Sequence, residues 1–298
     1  MALLKNTIVN FHVVQNQKWM ESVLLFLRNH FNIISIGDLE KYYYSKTNLN
    51  NCCHITFDDG DISFYNIVFP LLKKYCIPTT IFVSPDAIKK RKNFWFQEIR
   101  GYDTSILLEI FEKKRIISGD VSNKKILSIF KSLTINEIWQ IILEYQNITN
   151  SLGKECKIIN IDQLVTLQKS GLVDIGAHTM NHPILKNESD EKAEEEIKES
   201  VDDLSNMLND KVKYFAYPNG NPQTDFSERE MNILNKSGVR LAFSLENNTF
   251  SHFDNPLMIP RKGISKGHNF YIFLKLISGE KWDKARKILH PKKKLFSR

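Results

Sequence analysis

The stretch Ile55-Thr56-Phe57-Asp58-Asp59-Gly60 joins a run of apolar residues to two adjacent carboxylates and a glycine. This pattern is typical of a buried strand that ends where polar groups begin to face solvent. Neighbouring side chains on a strand point to opposite sides, so Asp58 and Asp59 are expected to have different roles. A turn at Gly60 would bring both carboxylates to one pocket. The stretch therefore predicts a functional site at the end of a buried strand.

A second stretch, His178-Thr179-Met180-Asn181-His182-Pro183, carries two imidazoles four positions apart. This spacing places them on one face of a helical turn or at the two sides of a tight loop, close enough to share one ion. Asp59 would supply a third ligand and leave positions open for water and substrate, with Asp58 free as a base. Each stretch alone has an ordinary interpretation, as a solvated strand end or as a chance spacing. Their combination favours a metal site.

Both stretches resemble motifs of the polysaccharide deacetylase family, carbohydrate esterase family four. The first motif of that family is Thr-Phe-Asp-Asp-Gly, which residues 56–60 match in full, and the second is His-(Ser/Thr)-x-x-His-Pro, which residues 178–183 match without a departure. The resemblance implies a deformed seven-stranded barrel and a divalent metal ion bound by Asp59, His178 and His182. By ligand type this metal is zinc, although other first-row divalent ions would fit.

The stretch Phe215-Ala216-Tyr217-Pro218-Asn219-Gly220 resembles the third motif of the family. The resemblance implies that the backbone N–H of Asn219 stabilises an oxyanion. Many members carry an arginine at the position of Ala216, and that arginine orients the catalytic aspartate. Pro260-Arg261 resembles a branch of the family in which a late arginine accompanies this form of the motif, so Arg261 is the candidate that orients Asp58. A surface arginine after a strand is the alternative.

Three further residues are candidates for the site. Family members commonly protonate the leaving amine with a histidine in a late Leu-x-His motif, which this chain lacks, so either His12 or water is expected to serve. Trp95 lies in an aromatic stretch, residues 93–96, that resembles stretches walling a sugar-binding groove in some members; core packing is the alternative. Tyr217, from the third motif, is the other candidate for substrate binding.

Apolar and β-branched runs that alternate with amphipathic helical patterns predict about seven strands. The predicted strands cover 7–14, the run that ends at Asp58, 79–83, 172–176, 212–218, 239–244 and 257–261. N-terminal caps of helices are predicted at Thr134, Asp162 and Ser227. The helix over residues 190–209 is expected to turn a dense acidic face to solvent. The fold class is α/β, a distorted parallel (β/α)7 barrel of the polysaccharide deacetylase type with a helical insertion.

The domain organisation follows from where this alternation stops. Residues 1–270 are predicted to form the barrel, interrupted at about 88–160 by a Lys-rich helical insertion that carries no ligand cluster. Residues 271–298 are predicted to form a C-terminal helix and a basic tail. The tail is interpreted either as a solvated terminus or as a contact with an anionic membrane surface.

The composition of the chain limits which partners and which cellular location are expected. The chain has 298 residues, 42% of them hydrophobic, and a formal charge of +7 without an aromatic-interleaved basic face, so nucleic acid is not an expected partner. Four cysteines without regular spacing indicate reduced thiols. The apolar runs are too short for a secretory signal or a membrane span, so we expect a cytoplasmic protein that is at most peripheral to a membrane.

The expected function is a metal-dependent hydrolase that removes an N-acetyl group from an amino sugar in a glycan or glycan precursor. Its expected partners are an N-acetylated sugar, an oligosaccharide, or a lipid-linked or nucleotide-linked precursor in surface polysaccharide biosynthesis. A deformylase or an O-acetyl esterase acting on a sugar is the first alternative. A non-catalytic sugar-binding barrel is the second, because fold alone does not fix function.

Overall fold

The computed structural model describes residues 4–116, 126–265 and 267–278. Its centre is a curled parallel sheet in the order β7-β6-β5-β4-β3-β1-β8, with β2 pairing separately on β3. The strands are β1 (Thr7–Phe11), β2 (Asn32–Ile33), β3 (Cys52–Phe57), β4 (Thr79–Val83), β5 (Val173–Ala177), β6 (Tyr214–Ala216), β7 (Leu241–Phe243) and β8 (Lys262–Gly263). The predicted distorted parallel barrel is confirmed by this sheet.

Helices connect the strands and cover the outside of the sheet. They are α1 (Gln17–His30), α2 (Ile36–Ser45), α3 (Phe69–Tyr75), α4 (Pro85–Lys89), α5 (Trp95–Glu98), α6 (Thr104–Lys113), α7 (Ile126–Phe130), α8 (Ile135–Thr149), α9 (Ile161–Lys169), α10 (Asp190–Leu208), α11 (Glu228–Lys236) and α12 (Asn269–Ser278). A π-helical turn, Phe64–Val68, leads directly into α3. None of the helices in the described ranges is both long and apolar enough to cross a membrane.

The barrel is distorted where its two edges meet. On one side, the Ala242 N–H donates to Pro256 O at 2.8 Å and the Ser244 N–H donates to Ile259 O at 2.9 Å. On the other side, the Ile264 N–H donates to Asn10 O at 2.7 Å. The predicted strand at 257–261 is wrong in its bounds, because Ile259 forms only an isolated bridge and the strand itself is Lys262–Gly263. An irregular segment therefore links β7 to β1.

Side chains along β3 point alternately to the hydrophobic core outside the sheet and to the barrel interior. Cys53, Ile55 and Phe57 belong to the large hydrophobic cluster that includes residues of α1 and α3. The intervening His54 and Thr56 are fully buried on the opposite face. Asp58, which follows the strand, lies on the side of Thr56, so the strand delivers a carboxylate to the inside of the barrel.

Most of the predicted helix starts agree with the structure. Capping boxes at Thr134 and Ser227 open α8 and α11 as predicted. The predicted cap at Asp162 is wrong. The Asn160 side chain accepts the Gln163 N–H at 2.9 Å, so α9 begins at Ile161 and Asp162 lies within its first turn.

Helices α4 to α8 lie between β4 and β5, where the sequence predicts an insertion. Their side chains form a second hydrophobic cluster around Trp95, Phe111, Phe130 and Ile138. Helix α12 packs on the barrel through Ile272. The division into domains stays a prediction, and the basic tail at 279–298 lies outside the described residues.

Candidate metal centre and active site

Three potential metal ligands, Asp59, His178 and His182, converge at the carboxyl ends of β3 and β5. Their ligating atoms all lie within 4.8 Å of one another, and all three residues are buried. The Asp59 Oδ1 atom is 3.6 Å from His178 Nε2 and 3.5 Å from His182 Nε2. Strands β4 and β5 pair in parallel next to β3, so their carboxyl ends share one edge of the sheet.

A tight turn after β3 places the first ligand. Asp59 and Gly60 both have left-handed backbone, with φ of 73° and 66°. A Cβ atom on Gly60 would lie 2.9 Å from Val83 Cγ1, so a larger residue would clash with the Val83 side chain on β4. Glycine at this position therefore lets the chain turn close to β4.

The loop between the two histidines is also held in left-handed conformations, with φ of 63° at Thr179 and 57° at His182. The His182 N–H donates to Thr179 Oγ1 at 3.0 Å. His178 Nδ1 lies 2.7 Å from the Ala216 carbonyl oxygen. Because a carbonyl only accepts, Nδ1 carries the proton and the lone pair of His178 Nε2 faces Asp59.

The His182 ring is positioned by aromatic packing. Its centroid lies 5.2 Å from that of Phe94 and 4.9 Å from that of Phe96. The Trp95 Nε1–H donates to the His182 carbonyl oxygen at 3.0 Å. The resemblance predicts that this aromatic stretch walls a sugar-binding groove. In the structure these aromatic residues instead pack against His182, a potential metal ligand.

The donor set fits a divalent ion. Asp59 Oδ1 is buried without a hydrogen-bond partner among the described residues, although it lies near two imidazole nitrogens. Ligands each about 2.0–2.1 Å from a tetrahedral zinc ion lie roughly 3.3–3.5 Å apart, close to the separations observed here. Burial lowers the pKa of His178 and of His182, against the raising effect of nearby carboxylates, and so favours the neutral imidazoles that ligate metals.

Asp58 is held by a buried arginine and an asparagine. Arg261 Nη1 donates to Asp58 Oδ1 at 2.8 Å, and Arg261 Nη2 donates to Oδ2 at 2.9 Å. Asn10 Nδ2 donates to Oδ2 at 2.8 Å. Burial alone would raise the pKa of Asp58, but the Arg261 guanidinium outweighs it and holds the pKa below its usual range. Asp58 is therefore ionised at neutral pH.

Arg261 is 1% exposed, so the alternative of a surface arginine is wrong. Its Nε–H donates to Ser244 O at 3.1 Å, and its Nη1 also donates to Thr56 Oγ1 at 3.2 Å. These additional bonds fix the guanidinium plane against Asp58.

Asp59 differs from its neighbour in its electrostatic environment. Burial raises the pKa of Asp59. No arginine pairs with it among the described residues. A bound cation would supply the missing positive charge.

His12 lies close to Asp58, whereas the Asn219 side chain contacts Lys131. His12 Nε2 is 3.9 Å from Asp58 Oδ2, and the His12 side chain is 47% exposed. Asn219 has left-handed backbone with φ of 57°, and its Oδ1 accepts Lys131 Nζ at 2.6 Å. Lys131 belongs to the insertion, which therefore contacts the third motif directly.

The two residues predicted to bind substrate are both buried, which corrects their assignment. Trp95 and Tyr217 are each 1% exposed. The Tyr217 hydroxyl donates to Leu257 O at 2.8 Å, and its ring stacks on Phe226 with centroids 3.6 Å apart. Neither ring is available to a sugar, because both side chains are buried and the polar atom of each donates to a backbone carbonyl.

Asn10 is the main site residue that sequence reasoning missed. Its amide bridges Asp58 and Thr56, whose Oγ1 donates to Asn10 Oδ1 at 3.1 Å. The signal was a polar residue within the apolar run of the first strand, two positions before His12. Side chains two positions apart on a strand point to the same face, so Asn10 is expected to face the barrel interior.

Comparison with known proteins supports the fold and the family. A family model for polysaccharide deacetylase matches residues 45–242. No curated protein matches the sequence. Among solved structures, the Streptococcus pyogenes deacetylase PplD in complex with acetate has a TM-score of 0.63 and 17% identity, covering 93% of this chain and 99% of that chain.

Two further structures have the same fold. IcaB from Ammonifex degensii has a TM-score of 0.63 and 18% identity, covering 91% of this chain and 97% of that chain. A de-N-acetylase from Aggregatibacter actinomycetemcomitans has a TM-score of 0.59 and 16% identity, covering 90% of this chain and 99% of that chain. The family model spans roughly two thirds of the sequence and includes both the Asp-Asp and the His-x-x-x-His stretches. The chain therefore belongs to the polysaccharide deacetylase family, which supports hydrolysis of an acetyl group on a carbohydrate as its class of reaction.

Proposed function

We propose that the protein is a metal-dependent deacetylase that removes an N-acetyl group from an amino sugar in a glycan or glycan precursor. The observation that carries the proposal is the pairing of two unlike carboxylates. Asp58 is bound by Arg261, whereas Asp59 faces two imidazole nitrogens and pairs with no lysine or arginine in the described part of the chain. The first arrangement suits a base, and the second suits a metal ligand.

A divalent ion held by Asp59, His178 and His182, zinc by ligand type, would polarise the acyl oxygen and lower the pKa of the attacking water. Asp58 takes the proton of this water as its oxygen bonds to the acetyl carbon. Arg261 and Asn10 keep the carboxylate oriented during the transfer. The carboxylate remains ionised between turnovers because Arg261 stabilises its charge.

We assign the remaining steps to Asn219 and His12. The backbone N–H of Asn219 donates to the oxyanion of the tetrahedral intermediate. As the carbon–nitrogen bond breaks, the leaving amine takes a proton and acetate is released. His12 is our candidate donor of that proton, since its Nε2 lies 3.9 Å from Asp58 and its half-exposed ring can exchange protons with solvent.

We propose an N-acetylated oligosaccharide, or a lipid-linked or nucleotide-linked precursor in surface polysaccharide biosynthesis, as the substrate. Hydrolysis of a formamide or an O-acetyl ester would use the same residues and is the alternative reaction. An intact donor set and an ionised base support turnover over a non-catalytic sugar-binding barrel. A cytoplasmic location, and contact of the basic tail with a membrane, stay predictions from the sequence.

Metal analysis and acetate release test the proposal. The purified chain is expected to hold roughly one equivalent of a divalent ion. Asp59→Ala and His178→Ala are expected to lose the ion, while His30→Ala, which alters an exposed imidazole, keeps it. Metal-loaded protein is then assayed for acetate release from N-acetylated oligosaccharides.

Each outcome of this experiment decides between hypotheses. Metal-dependent acetate release supports the N-deacetylase. Metal binding with formate release, or with activity only on acetate esters, supports the alternative reactions. A parent chain that binds no divalent ion under any loading condition contradicts the hydrolase.

A further inference from the structure

Glu196 of helix α10 differs in burial from what the sequence pattern of that helix predicts. The sequence predicts that the acidic residues of α10 face solvent, yet Glu196 is 0% exposed. A buried carboxylate is retained only where hydrogen bonds or charges compensate its desolvation. The partners of Glu196 therefore indicate its role.

Apart from Lys192 of the same helix, whose Nζ lies 3.6 Å from Glu196 Oε1, these partners lie in the loop between the two metal-ligand histidines. The Asn181 backbone N–H donates to Glu196 Oε2 at 2.8 Å, and Asn181 Nδ2 donates to Glu196 Oε1 at 2.8 Å. The Met180 N–H also donates to the Glu196 backbone carbonyl at 3.1 Å. The residue immediately before His182 is thus bonded at two points to one buried carboxylate.

A second contact reaches the same asparagine from the insertion. Lys92 Nζ donates to Asn181 Oδ1 at 2.9 Å, and it pairs with Asp86 Oδ2 at 2.5 Å. Both ends of the Asn181 amide are therefore engaged, one by helix α10 and the other by the segment after α4. The side chain of Asn181 has a fixed orientation as a result.

The conformation of the loop explains why such support is needed. Thr179 and His182 both have positive φ, a region that residues other than glycine adopt only when surrounding contacts hold them there. The bond from the His182 N–H to Thr179 Oγ1 lies within the loop and cannot attach it to the rest of the barrel. Glu196 of helix α10 provides one such attachment, beside Trp95, which donates to the His182 carbonyl oxygen.

We propose that Glu196 is a positioning residue for the metal centre, acting through Asn181 to hold the loop in which His178 and His182 converge on Asp59. The inference rests on the proposed metal-binding function. Helix α10 contributes no metal ligand itself, and its role is to carry Glu196. Groups that orient metal ligands commonly change metal affinity when they are altered.

The test measures zinc affinity of the full chain by chelator competition, together with the absorption spectrum of the cobalt-substituted protein. Glu196→Gln leaves one of the two Asn181 donors without an acceptor. We expect metal binding to weaken by about 10–100-fold and the cobalt spectrum to change. The combined variant Glu196→Gln with Asn181→Asp exchanges side-chain donor and acceptor, retains an acceptor for Lys92, and is expected to recover most of the affinity.

Glu230→Gln is the matched control. Glu230 is also 0% exposed, and it accepts the backbone N–H and the hydroxyl of Ser227 at the start of α11. This variant is expected to lower stability while leaving zinc affinity and the cobalt spectrum unchanged. If Glu196→Gln does not fold, Asn181→Ala removes the same side-chain bond and is expected to give the same loss of affinity.

The outcomes separate this inference from the proposed function. A wild-type chain without metal affinity overturns both. If the wild type binds zinc and folded Glu196→Gln binds it equally tightly, the role of Glu196 is overturned while the proposed function stands. The same holds for Asn181→Ala where that variant replaces Glu196→Gln. If the combined variant binds zinc as weakly as Glu196→Gln does, Glu196 does not act through Asn181.

Discussion

Arg261 and Asp58 are separated by 203 positions in the sequence, yet both oxygens of the carboxylate accept hydrogen bonds from the guanidinium. Both side chains are almost completely buried, at 1% and 4% exposure. The third motif of this chain has alanine at the position where many family members place the orienting arginine. The bidentate pair therefore supplies, from the residue immediately before β8, the positive charge that the third motif lacks.

The first prediction concerns this pair. Arg261→Met leaves Asp58 as a buried, unpaired charge, so we expect the free energy of unfolding at neutral pH to fall by about 3–5 kcal/mol. Chemical denaturation measures the change. In an Asp58→Asn background the same substitution should cost much less, because no charge is left unpaired. Equal costs in the two backgrounds would show that the ion pair is not the source of the effect.

The second prediction separates base from ligand. Asp58→Asn removes the proton acceptor but no predicted metal ligand, so acetate release should fall about 10²–10⁴-fold while metal content is kept. Asp59→Ala should lose both metal and activity. Steady-state kinetics with parallel metal analysis measures this. Loss of metal in Asp58→Asn would assign that residue to the metal site instead.

The third prediction compares two buried aromatic residues. Trp95→Phe and Tyr217→Phe each remove one hydrogen bond to a carbonyl, so each should lower stability by about 0.5–1.5 kcal/mol. Only Trp95→Phe removes a bond to His182, and it alone should weaken zinc binding. KM should stay unchanged in both variants because neither ring is exposed to substrate. A raised KM in either variant would restore a substrate-binding role.

The fourth prediction concerns stability in acid. Burial lowers the pKa of His54 to about 4, against its hydrogen bond to Ile34 O. Between pH 6.5 and 4 the unfolded chain takes up a proton at His54 that the folded chain does not, so folding becomes less favourable as pH falls. The full effect is about 3 kcal/mol.

His54→Gln should remove this part of the pH dependence, measured as the difference in unfolding free energy between wild type and variant from pH 7 to pH 4. His30→Gln, at an exposed position, serves as the control and should follow the wild type. Parallel curves for wild type and His54→Gln would mean that His54 titrates at its usual pKa in the folded chain.

Local sequence patterns were sufficient to predict the barrel and the two stretches that meet in it. The carboxyl ends of parallel strands share one edge, so residues that follow β3 and β5 must lie near each other whatever the details of packing. Regular periodicity also predicted most helices. Bounds were less accurate where hydrogen bonding is irregular, as at 257–261, because an isolated bridge and a strand have similar apolar sequences.

Tertiary structure alone decided which groups surround the site. The aromatic stretch at 93–96 is compatible with a groove or a core, and only packing buries Trp95 against His182. Glu196 has the same sequence pattern as its exposed acidic neighbours, and only the fold brings Asn181 within hydrogen-bonding distance of it. Sequence thus determined which chemical groups are present and which strand ends carry them. The fold determined their partners, because a hydrogen bond between distant segments depends on side-chain direction and burial that local periodicity does not encode.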